Sequence, residues 1–124
     1  ARTGVRRDAA GRAAGSAVLL PPATGTGAKF DFYLSVDLTG NVTIDTVGSD
    51  IMQGAAIFET DNASDGVTAY PTTSSTDTLT MFTASGGTTG GKVGAQVQLR
   101  DVAAGVYSVL YVSSASGTEV TPFS

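Results

Sequence analysis

The chain has 124 residues, with 7 Lys and Arg against 11 Asp and Glu, and it contains no His, no Cys and no Trp. That length fits one domain with a modest core, and the missing His and Cys exclude zinc centres, thiol nucleophiles, Ser-His-Asp triads and imidazole acid–base chemistry. With 18 Thr, 12 Ser and 16 Gly but only two Glu and seven Leu, the composition suits pleated, half-buried strands punctuated by small polar turns, not helices.

Charge divides the chain in two. Arg2, Arg6, Arg7 and Arg12 are opposed by Asp8 alone within the first dozen residues, a net of +3, whereas the remainder sets three cations against ten acids, a net of −7. Residues 1–16 show no apolar period and carry Gly4, Gly11 and Gly15, so they are expected to form an extended basic arm that does not fold alone. Residues 17–124 are expected to form the globular body. The short apolar run of residues 17–20 is stopped by Pro21 and Pro22, too soon for a secretory signal, and no run is long enough to cross a bilayer. The start at Ala1 fits a cytoplasmically made chain that has lost its initiator Met, and the absence of Cys gives no support to an oxidising compartment.

In chain order, Phe30, Phe32, Leu34, Val36 and Leu38 alternate with Asp31, Tyr33, Ser35 and Asp37, the clearest strand pattern. Gly40-Asn41 turns into a second short strand through Val42 and Ile44. Residues 51–58 form an apolar run around Gly54-Ala55-Ala56, which predicts a strand whose backbone a neighbour approaches closely. Residues 61–66 read as a loop, 67–70 as a weak strand and 79–82 as a better one. The glycine-rich stretch 86–91 reads as a flexible loop before Val93, Ala95, Val97 and Leu99. After a turn at Ala103-Ala104-Gly105, residues 106–112 place apolar groups on both faces, as in a central strand covered on each side. The expected fold class is all-β: one small sandwich, barrel or roll of about seven to eight short strands, preceded by the N-terminal arm.

Few motifs carry chemistry. Residues 86–92 match the opening of a phosphate-binding loop, but Val93 stands at the Mg²⁺-ligand position and a strand follows where a helix is required. The stretch 61–66 starts like a calcium loop, yet Ala63 occupies a ligand position and the closing Glu is missing. Asn41-Val42-Thr43 and Asn62-Ala63-Ser64 are glycosylation sequons that matter only in a secreted chain. Asp31, Asp37, Asp45, Asp50, Asp61, Asp65, Asp77 and Asp101 read as isolated surface acids serving solubility. No catalytic, metal or cofactor site is therefore expected. The candidate site residues are Arg2, Arg6, Arg7 and Arg12, docking on an acidic protein surface, because the −7 body disfavours nucleic acid.

The succession Leu20-Pro21-Pro22-Ala23-Thr24-Gly25-Thr26-Gly27-Ala28-Lys29-Phe30, with Val42-Thr43-Ile44, Gly48-Ser49-Asp50, Asp77-Thr78-Leu79-Thr80, Thr88-Thr89-Gly90-Gly91-Lys92-Val93-Gly94 and the end Gly117-Thr118-Glu119-Val120-Thr121-Pro122-Phe123-Ser124, resembles small virion proteins of tailed bacteriophages, especially marine ones. Within that group the resemblance is to capsid decoration, or cement, proteins. It spans about residues 18–124 and implies a structural, non-enzymatic role on the capsid surface of the virion, with the major capsid protein as partner and a homo-oligomer, a trimer, as assembly. Many relatives carry a Trp before the terminal Gly-Thr segment, a place the resemblance gives here to Tyr107 or Tyr111. Related modules occur in phage fibres, so the other expectation is a carbohydrate-binding or adhesion module using the loops at 61–66 and 86–91.

Overall fold

The structure, a computed structural model, describes residues 5–8, 16–35, 37–60, 66–81, 88–116 and 118–124, with side chains from residue 17 onward and Thr60 excepted. These residues form nine strands and no helix: β1 Val5–Asp8, β2 Ser16–Leu19, β3 Lys29–Tyr33, β4 Val42–Asp45, β5 Ile51–Thr60, β6 Val67–Pro71, β7 Thr78–Met81, β8 Gln96–Ala103 and β9 Val106–Ala115. A six-stranded sheet runs in the order β1-β3-β8-β9-β5-β6, and a three-stranded sheet in the order β2-β4-β7. Both are mixed, because β1 with β3, β5 with β9 and β2 with β4 pair in parallel while the other neighbours are antiparallel.

Period-two alternation makes each sheet two-sided. On the larger sheet Phe32, Val97, Leu99, Tyr107, Val109, Tyr111, Met52, Ala56 and Phe58 point inward, and Val42, Ile44, Leu79 and Met81 meet them from the smaller sheet in one buried cluster. Edge-to-face ring contacts tighten it, with Phe58 and Tyr111 centroids 5.5 Å apart at 87°. The last residues close the smaller sheet beyond β7: Thr80 N–H donates to the Pro122 carbonyl at 2.8 Å and Ser124 N–H to the Thr78 carbonyl at 3.0 Å, burying Phe123.

The architecture is all-β as expected, with two sheets packed as a sandwich among the sandwich, barrel or roll anticipated, and with several local corrections. The alternating run from Phe30 keeps its faces, since Phe32, Leu34 and Leu38 are buried and Tyr33 and Asp37 exposed. Its strand ends at Tyr33, however, and Gly40-Asn41 does not turn a hairpin: β3 and β4 belong to different sheets. Gly54 does lie against a neighbouring backbone, because an added Cβ would overlap the Val109 carbonyl of β9. Of the glycine-rich stretch before β8, Thr89, Gly90 and Gly91 are buried instead of forming a free loop. The Tyr111 hydroxyl donates to the Thr89 carbonyl at 2.9 Å and accepts from Gly91 N–H at 2.8 Å, which pins that segment over the core. Both Tyr107 and Tyr111 are core residues.

Candidate interaction surface

The smaller sheet covers only the inner face of the larger one. The register of the larger sheet fixes what its outer face displays. One cross-strand row reads Lys29, Arg100, Ser108, Gln53; the next reads Asp31, Gln98, Leu110, Ala55, Pro71; the third reads Tyr33, Gln96, Val112, Ile57, Ala69; the fourth reads Ser114, Glu59, Val67. Tyr33, Ile57, Leu110 and Val112 are 37–42% exposed and Val67 is 63% exposed, so an apolar band crosses the middle of this face. The sequence expectation that residues 106–112 are covered on each side is corrected here. β9 is central by its hydrogen bonds to β8 and β5, but its outward Leu110 and Val112 have no covering layer among the described residues. β9 is therefore an interior strand, while β6 lies at the edge of the sheet.

Charge marks the two ends of the band. Lys29 and Arg100 are direct cross-strand partners at one end, an arrangement of like charges that is unfavourable unless an anion neutralises it. Neither side chain forms an ion pair or hydrogen bond among the described residues. They border a groove of about 470 Å³ whose walls also include Asp31, Gln53, Gln98 and Ser108. Glu59 is exposed at the far end.

The carboxylates expected to be idle surface acids are mostly occupied in holding loops. Asp101, 3% exposed, accepts N–H bonds from Thr24 at 2.9 Å and Gly25 at 2.6 Å and the Thr26 hydroxyl at 3.1 Å. Burial works to raise its pKa, but these hydrogen bonds to the charged form outweigh it and hold the carboxyl below its ordinary value. Asp50 accepts from Ala23 N–H at 2.8 Å, Asp37 from Val93 N–H at 2.7 Å, and Asp45 from the Thr78 hydroxyl at 2.9 Å. The signal for this was the pairing of Asp with Gly- and Thr-rich turns, whose free N–H groups need acceptors. Tyr107 donates to the Pro21 carbonyl at 2.7 Å, and burial, then the Asp101 and Asp50 charges, push its pKa up to about 12. No group of three metal-ligating side chains forms among the described residues.

Of the four candidate arginines, Arg6 and Arg7 lie in β1, in register with Asp31 and Phe32 of β3, so this part of the arm is paired as a strand. Arg2 and Arg12 lie outside the described residues, as do 61–65 and 82–87 from the two loops expected to contact glycans. Ser16, assigned to the arm from sequence, already belongs to β2. The outer face was missed because apolar residues on both sides of a strand look the same whether a second layer covers them or a partner does. Comparison with protein-family models, with curated proteins and with solved structures finds no match.

Proposed function

We propose that this chain is a structural virion protein, a capsid decoration protein that binds the outer surface of a shell built from the major capsid protein and stabilises it. The observation that carries the reading is the apolar band of Tyr33, Ile57, Leu110 and Val112 across the outer face of the larger sheet, a feature suited to contact with protein. The engagement of Asp37, Asp45, Asp50 and Asp101 in loop hydrogen bonds agrees with a module that assembles and does not catalyse. The resemblance of residues 18–124 to decoration proteins supplies the virion context.

In this reading Arg2, Arg6, Arg7 and Arg12 contact acidic groups on neighbouring shell subunits. Many such weak contacts, repeated over the shell, act together to hold it against internal pressure. The test is binding of the purified full chain to shells that lack it, quantified by co-sedimentation. Saturation near one copy per major capsid subunit, weakened by replacing Arg6, Arg7 and Arg12 with Ala and by added salt, is expected. Failure to bind shells, together with binding to a glycan array, would overturn it in favour of an adhesion module.

A further inference from the structure

The outer face of the six-stranded sheet carries a charge pattern that is complementary to itself. Its apolar centre is Leu110 and Val112 on β9, flanked by Ile57 and Ala55 on β5. The unpaired cations Lys29 and Arg100 lie to one side of that centre, and the unpaired Glu59 lies diagonally opposite. With strands ~4.8 Å apart and ~6.7 Å between successive outward residues, Arg100 and Glu59 are about 22 Å apart, and the midpoint between them falls between Leu110 and Val112.

We propose that two copies of this chain pair face to face through this surface about a two-fold axis that lies parallel to the sheet, over the point between Leu110 and Val112 and at right angles to the line from Arg100 to Glu59. An axis there places Arg100 and Lys29 of each copy over Glu59 of the other and turns the apolar centres onto each other. The groove bordered by Lys29, Gln53, Gln98, Arg100 and Ser108 receives the Glu59 carboxylate of the second copy, whose charge removes the cost of setting Lys29 opposite Arg100. Such an isologous contact closes at two copies. Among the described side chains the face holds two cations, Lys29 and Arg100, and two acids, Asp31 and Glu59. That balance matches a second copy better than it matches a strongly acidic or basic partner. The pair covers part of the same band that the capsid reading assigns to shell contact, so in that reading the pair in solution opens, or attaches through other surfaces, when the chain meets a shell.

The test is the mass of the full chain by light scattering and sedimentation from micromolar to roughly 100 μM, where a pair has twice the 12.4 kDa of one copy. The double variant Lys29→Glu/Arg100→Glu and the single variant Glu59→Lys are each expected to weaken pairing by about tenfold or more. The variant carrying all three changes is expected to regain it. These positions are on the outer face, and unchanged thermal midpoints verify the fold. Added salt should weaken the native pair, and Leu110→Ser should weaken it at any salt. A monomer throughout the range, a trimer, or a pair indifferent to all the reversals would overturn the proposal. Shell binding is read separately by co-sedimentation, so a failure of pairing and a failure of the capsid reading are distinguishable.

Discussion

Asp101 shows how one side chain organises a turn. Its carboxylate gathers the Thr24 and Gly25 N–H groups and the Thr26 hydroxyl, which joins the segment after β2 to the end of β8. The folded chain therefore holds this carboxyl below its ordinary 3.8, and the unfolded chain binds the proton first as pH falls. Stability from this group is complete above about pH 4 and is lost as pH drops through the lower folded value. Asp101→Asn should lower the thermal midpoint at pH 7 and flatten its fall between pH 4 and 2; an acid limb of unchanged steepness would remove Asp101 from this role. Tyr111 makes the comparable link in the core. Tyr111→Phe leaves the buried Thr89 carbonyl and Gly91 N–H without partners and should cost about 2–4 kcal/mol in a denaturant melt. A cost under about 0.5 kcal/mol would mean that water replaces the hydroxyl.

At the scale of elements, the long parallel pairing of β5 with β9 holds the larger sheet together, and Gly54 is its tightest point. An added methyl there meets the Val109 carbonyl in the ladder itself, and φ of +155° is a conformation that L side chains rarely adopt. Gly54→Ala should therefore cost more than about 3 kcal/mol, whereas Gly48→Ala, at φ +59° in open space, should cost about 1 kcal/mol. Equal costs in parallel melts would show that the ladder yields at this position. The close approach at Gly54 and the inward faces of Phe32, Val97 and Leu99 were legible in the sequence because alternation and glycine placement are local signals. The parallel pairings were not. β2 with β4 and β5 with β9 join segments far apart in the chain, and no local pattern reports which distant strand a strand will meet. The burial of Gly90 and Gly91 was hidden for the same reason, since the cover depends on a hydroxyl twenty residues away on β9.

For the whole molecule, two unequal sheets leave one broad face without a second layer among the described residues. The three-stranded sheet, extended by Pro122, Phe123 and Ser124, covers one side of the larger sheet, while Leu110, Val112, Ile57 and Tyr33 stay open on the other. An isolated domain would gain little from that band, but a module that assembles with protein on a shell would use it. In the proposed role the chain attaches to the capsid surface. The most direct measurement is electron cryomicroscopy of phage particles made with and without this chain. Attachment predicts extra density on the outside of the shell, at a copy number near that of the major capsid protein, and lower resistance to heating of the particles without it. Density confined to tail fibres, or particles identical in the two preparations, would contradict it.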